Sequence, residues 1–365
     1  MEPLVVAAIA VVVLLLAATL IVGARRRRAG VPAEKPARGA DEAGSPVREP
    51  SAPRSADGID AAIALHRLAL SAPQLVPRVP PDHERVAAEV ARDVASSATQ
   101  AKYMPRRPLL LPQLLRAVND SETSRRELAG IIARDPALAA DLLRLANSPY
   151  YRITEKPVES IDRAVAVLGT EGIRRLVAAA VLQPVFRIRT GHFARFPDTT
   201  WEHACRAGVA AETFAAIVDD SDPFTAQLLA LLVGLGTIVV FRIAMDRYVE
   251  HGGLAPSPDL IALLIDTHAA PVAHAIAASW ELSPAVLAAL DEQLPGARPA
   301  GASPLGRSVR LGRLSGALAV LRAADGVTDE AALAALHAAG APARQSERIW
   351  LRLVPESAAA LQKPV

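Results

Sequence analysis

The chain has 365 residues, 51% apolar and 21% charged, which excludes a wholly disordered polymer and leaves room for two domains or one large domain with appendages. Its 40 basic and 38 acidic residues give a net charge of +2, so the overall balance does not call for a nucleic-acid partner. The one cysteine, Cys205, excludes an internal disulfide and a multi-cysteine zinc or iron–sulfur centre.

Leu4 to Val22 is an apolar run in which only Thr19 is polar. At about 1.5 Å per residue it spans roughly 28 Å, close to the thickness of a hydrocarbon core. Arg25, Arg26, Arg27 and Arg28 follow it, the reverse of the charge order in a secretory signal peptide. Residues 4–24 are therefore predicted to cross the membrane once, with the N-terminus outside and the arginines on cytoplasmic headgroups. Residues 25–58 are basic and then rich in Pro and Ala, with Pro32, Pro36, Pro46, Pro50 and Pro53. Such a segment buries too little to offset its ordering entropy and reads as a flexible tether.

The rest of the chain reads as helix. Within a preamble over 59–100, Ile59–Ala72 carries Ile59, Ala62, Ile63, His66 and Leu70 on one face. Asp82–Ala98 repeats Val86, Val90 and Val94 every four residues. Both stripes need a partner surface, either the main domain or another chain. Further on, Ser124 with Glu127 fits a capping box, and Asp135-Pro136 fits an N-cap followed by Pro at the first helical position. Leu138, Leu142 and Leu145 share a face that Asn147 closes. Ser160 opens a helix that Gly169 ends, and Thr170 opens the next, to about Leu182. Leu228–Phe241 is apolar throughout but too short to span a bilayer, so it is expected at the centre of a bundle. Pro304–Leu353 holds two or three further helices, with Leu311, Leu314 and Leu318 on one face. No strand alternation of useful length occurs, and the predicted class is an all-α, multi-helix bundle.

His203 lies on a helix running to about Val218 and shares a face with Ala207, Ala210, Phe214 and Ile217. It reads as a satisfied core histidine or as a ligand. His268 and His274 are six apart, off the four-residue spacing that puts two ligands on one helix face. Cys205 reads as a small core residue. Gly234 and Gly236 read as sites of close helix packing. Asp219, Asp220 and Asp222 form an acidic turn, expected as solvated helix-terminus charge. Arg174, Arg175, Arg187, Arg189 and Arg195, interleaved with Phe186, Phe193 and Phe196, form a basic stretch expected as a solvated loop patch.

The run Arg134-Asp135-Pro136-Ala137-Leu138, then Leu142-Leu143-Arg144-Leu145-Ala146-Asn147-Ser148 and Tyr150-Tyr151, resembles the opening of the HDOD domain. So do Ser160-Ile161, Ala164-Val165, Leu168-Gly169, Gly172-Ile173-Arg174 and the spacing of Trp201 and His203. The resemblance spans about 104–295, with 303–353 completing or capping the bundle. It implies a helical relative of the HD phosphohydrolases, in which histidines and an adjacent His-Asp pair bind a divalent metal that activates water. In Leu231-Leu232-Val233-Gly234-Leu235-Gly236, Val233 and Gly234 stand where the resemblance would put that pair. Neither side chain carries a donor atom, and a hydrolytic metal needs several plus an open water position. His203 and His268 match histidines of the family, while Leu290-Asp291-Glu292-Gln293 stands where a His-His pair is often seen.

HDOD domains occur in bacterial regulatory proteins, so the resemblance implies a signalling role at the bacterial inner membrane, with the bulk of the chain in the cytoplasm. The expectation is a module without catalysis and without a cofactor that docks a signalling protein. Its candidate surface is Asn147, Ser148, Tyr150, Tyr151 and Arg174, and the vestigial site is His203, Val233, Gly234 and His268. Two other readings stand beside it: a degenerate receptor that binds a nucleotide near His203 and His268, and a metal-dependent phosphohydrolase using other ligands.

Overall fold

Proline at the first turn and a hydroxyl or carboxylate just before it start most of the long helices. Ser257, Ser283 and Ser303 accept from Leu260, Val286 and Gly306 N–H groups, and Asp222 accepts from Thr225 N–H at 2.6 Å. These caps satisfy donors that have no partner within their own helix. The computed structural model describes residues 60–96, 102–103, 105, 129–130, 132, 136–148, 156–186, 191–297 and 301–354. The predicted membrane span 4–24, the tether 25–58 and the capping box at Ser124 lie outside the described residues.

The described helices are α1 (Ala61–Ala69), α2 (Glu84–Ala95), α3 (Pro136–Ala146), α4 (Ile161–Phe186), α5 (Phe196–Phe214) and α6 (Pro223–Glu250). They continue with α7 (Pro258–Ser279), α8 (Pro284–Asp291), α9 (Pro304–Ala323), α10 (Asp329–Ala338) and α11 (Ala343–Leu353). Among the described residues there is no strand. Gly169, at φ 67°, breaks α4 into two helical pieces at the position expected from sequence. The break falls there because a left-handed residue without Cβ costs little. After α5 the chain loosens into a π turn, Ala215–Asp219, and Asp220 at φ 45° reverses it into α6.

α6 is the axis of the bundle. It packs on α5, α7, α4, α2 and α9, and its apolar run is buried on all sides, as the absence of a polar face requires. Both α6 and α7 are long and apolar enough to cross a bilayer, yet most of the relevant stretch of each is buried inside the protein. Gly236 permits the closest approach, since a Cβ there would run into the Ala269 carbonyl of α7.

The preamble packs on the main domain. Val86, Val90 and Val94 of α2 are buried. Arg247 of α6 meets Asp93 at 2.5 Å, His251 meets Glu89 at 2.8 Å, and the Tyr248 hydroxyl meets His83 Nδ1 at 2.7 Å. The His251 hydrogen bond and charge hold the Glu89 carboxyl below its ordinary range.

The C-terminal helices are part of the core rather than a cap on it. α9 lies against α5 through Gly312 and Gly316, which face Ala207 and Ala211 with no room between the backbones. Buried Arg206 of α5 reaches the Ala319 carbonyl and pairs with Glu202 at 2.8 Å. Trp350 of α11 is fully buried and donates its indole N–H to Asp329, which also binds Arg322 at 3.0 Å.

The acidic turn is not the solvated feature its sequence suggested. Asp222 does cap α6, but the Asp219 side chain is wholly buried, accepting from Arg307 at 2.6 Å and from the Ser308 hydroxyl at 2.5 Å. The cause is tertiary, because α9 brings its first turn over the π turn. Of the interleaved aromatics, Phe196 is a core residue and Phe193 packs against the core, while the Phe186 side chain lies outside the described residues. Phe196 stacks on Phe241 with centroids 4.0 Å apart, and Phe193, at φ 57°, meets the same ring edge-on.

Candidate functional site

A cavity of about 430 Å³ opens between the length of α1, the N-terminal part of α5, the middle of α7 and the middle of α9. That size suits a small organic ligand. One wall is apolar, with Leu65, Ile265 and Leu314. Alanines and Phe196 make up much of the remainder, and the polar His203, Gln293, Arg310 and Arg313 reach the cavity from three stretches of chain.

His203 is placed by the second turn of α5. Its Nε2 donates to the Arg313 carbonyl at 3.0 Å, which fixes the proton on that nitrogen. Protein surrounds the ring apart from the part that opens onto the cavity. Burial pushes its pKa down to about 4, opposed in part by the bond to that carbonyl, so the imidazole is neutral near pH 7. His268 is also held below its ordinary value by burial.

Val233 and Gly234 are buried in α6, and neither lines the cavity. One turn on, Thr237 does, and its hydroxyl donates to the Val233 carbonyl at 3.1 Å. His268 is not among the lining residues either. Of the four vestigial positions, the structure therefore brings only His203 to the cavity. A hydrolytic metal does not fit this donor set. An isopropyl group and a hydrogen stand at 233 and 234, and His203 has only Nδ1 left to offer. Among the described residues, no group of three or more His, Cys, Asp or Glu is placed to hold a metal ion.

Asn147 and Ser148 hold local structure. Asn147 donates its amide to the Leu143 and Val158 carbonyls and accepts from Val158 N–H at 2.8 Å, which pins the loop after α3. The Ser148 hydroxyl donates to the Leu145 carbonyl. Tyr150 and Tyr151, like Arg187 and Arg189, lie outside the described residues, as do the side chains of Arg174 and Arg175.

Arg310, Arg313 and Gln293 do not stand out as site residues in the sequence, and His66 is visible there only as part of an apolar face. The Arg310–Arg313 spacing was a visible signal, since three apart puts both on one side of a helix. Nothing local says that this side faces α5 and α7. His66 reaches Asp266 of α7 at 2.9 Å and so fixes α1 as a wall of the cavity.

Comparison with known proteins agrees with this architecture. The HDOD domain matches residues 104–294, more than half of the chain. The chain belongs to the HDOD family. A crystal structure from Shewanella amazonensis SB2B, provisionally named a phosphohydrolase, covers 70% of this chain and 94% of its own, with 20% identity and a TM-score of 0.50. That likeness shows the shared fold. An HDOD domain protein of unknown function from Geobacter sulfurreducens covers 83% of this chain and 95% of its own, at 20% identity and a TM-score of 0.47. An uncharacterized protein of Treponema pallidum (strain Nichols) is 23% identical over 234 residues, 61% of this chain and 44% of that one. The chain thus spans less than half the length of that relative. The HDOD match ends at 294, so α9, which supplies both cavity arginines, lies beyond the matched segment.

Proposed function

We propose that this HDOD protein is a non-catalytic regulatory module that binds a signalling protein in the cytoplasm and is held at the membrane by residues 4–24. One observation carries the reading. At positions 233 and 234, where the hydrolases of the resemblance hold metal with His and Asp, this chain has Val and Gly inside a buried helix. A fold that has lost its metal donors keeps its surfaces. The Leu4–Val22 run and Arg25–Arg28 supply the membrane part, and a tether raises the local concentration of the domain near membrane partners without any new contact.

The test uses the full-length chain reconstituted into lipid nanodiscs. The expected result is no stoichiometric metal by mass spectrometry and no hydrolysis of bis(p-nitrophenyl) phosphate with added Mn²⁺. Hydrolysis that depends on metal and disappears in His203→Ala would overturn the reading. Crosslinked capture from native membranes tests the partner. A reproducible partner should be lost when Leu142 and Leu145, both buried in α3, are changed to Asp. Capture of nothing above background would refute the docking role.

A further inference from the structure

Two side chains that line the cavity each carry a buried polar atom with no hydrogen-bond partner among the described residues: Arg313 at Nε and Gln293 at Oε1. Each is costly to leave so. A buried unpaired donor or acceptor loses about 1–3 kcal/mol of hydration, and more when it is charged. Gln293 cannot turn to relieve the problem, because its Nε2 already donates to the Ala289 and Gly306 carbonyls at 3.1 and 3.0 Å. The amide is therefore fixed in one orientation, with its oxygen left without a donor.

The carboxylates near the cavity are committed elsewhere. Asp60 accepts from Ala62 and Ile63 N–H groups at the start of α1. Asp266 takes the His66 ring at 2.9 Å. Its charge acts on Arg313, but burial outweighs it and holds that guanidinium below its ordinary pKa. Neither Arg310 nor Arg313 has an ion-pair partner among the described residues. Phe196, Thr199 and Thr200 near the start of α5 also line the cavity, and the first turn of that helix carries Asp198.

The unmet demands are therefore an oxyanion for the arginines, an N–H or O–H for Gln293, and an apolar or flat group for Leu65, Ile265 and Leu314. Guanidinium forks suit phosphate oxygens. We propose that the cavity binds a small organic phosphate of mononucleotide size, with Arg310 and Arg313 on the phosphate and Gln293 on an N–H of the ring. The proposal goes beyond the docking role and does not depend on it. α9 contributes both arginines, so the site belongs to this chain's C-terminal helices as well as to the HDOD segment.

The test is calorimetric titration of the full-length chain in nanodiscs with AMP and GMP, alongside adenosine, guanosine and inorganic phosphate. At least one nucleotide should bind at one per chain and be recovered intact. Arg313→Gln should weaken it by about 10–100-fold, the loss of one charge-assisted contact. Arg313→Lys should retain part of the affinity. Circular dichroism of each variant checks the fold. Inorganic phosphate binding as tightly as the nucleotides would overturn the proposal, because Gln293 and the apolar wall would then contribute nothing. So would binding unchanged in a folded Arg313→Gln, or no binding of any probe at millimolar concentration. Cleavage of the bound nucleotide would refute the non-catalytic reading while leaving this one standing.

Discussion

Replacing Gly316 by Ala on α9 should destabilise the protein, although alanine is the better helix former. A Cβ at 316 would stand 2.6 Å from Ala207 N and 2.8 Å from Ala207 Cα, and one at 312 would stand 2.6 Å from Ala211 N and 2.7 Å from the Ala207 carbonyl. These neighbours are backbone, so no rotamer change relieves the clash and α9 must move away from α5. Overpacking against backbone atoms falls at the upper end of the usual range, about 2–3 kcal/mol. The gain in helix propensity returns about 1 kcal/mol. The net loss should be about 1–2 kcal/mol for each variant, a fall in Tm of about 2–6 °C. Because both glycines lie on one seam, Gly312→Ala and Gly316→Ala together should cost less than the sum of the two. Gly252→Ala serves as the control. A Cβ there meets nothing within 4 Å, so its effect should stay within about 0.5 kcal/mol. Thermal melts of the full-length chain followed by tryptophan fluorescence read the effect, since Trp350 is buried in the neighbouring α11. A Tm for Gly316→Ala equal to or above wild type would refute the close approach of α9 to α5, and with it the placement of Arg310 and Arg313.

Acid should destabilise the fold partly through His203. Its folded pKa is about 4 against an ordinary 6.5, so the unfolded chain binds the extra proton between these values. The contribution is fully present above about pH 6.5, falls as the pH drops through that window and levels off below about pH 4. It amounts to at most about 3 kcal/mol, less where cavity water solvates the ring. His203→Gln keeps a donor for the Arg313 carbonyl and should flatten the fall in Tm between pH 7 and 5; an unchanged slope would rule His203 out as its source. Arg307→Ala should cost about 3 kcal/mol, because it strands the wholly buried Asp219 without its counter-ion. Urea unfolding would show this as a lower midpoint at unchanged slope, and a loss below about 0.5 kcal/mol would mean that Arg307 is not what holds Asp219 in the core.

Local chemistry made much of this protein legible from sequence. Gly169 ends a helix because a left-handed turn favours a residue without Cβ. Ser160 and Asp222 start helices because their oxygens meet first-turn N–H groups. The uninterrupted apolar stretch of α6 left burial at the centre of the bundle as its best placement, and the lost donors at Val233 and Gly234 could be read directly as residue types. Only the tertiary structure decided the rest. Whether the α2 valines faced this chain or another depended on α6 presenting Arg247 and His251 to Asp93 and Glu89 of α2. Asp219 was buried under Arg307 and Ser308, Phe196 entered the core and Phe193 packed against it, because distant helices closed over them. Arg310 and Arg313 look like ordinary surface arginines of an amphipathic helix. They line a cavity because Gly312 and Gly316, between and beyond them, let α9 settle against the backbone of α5, more than 100 residues earlier in the chain.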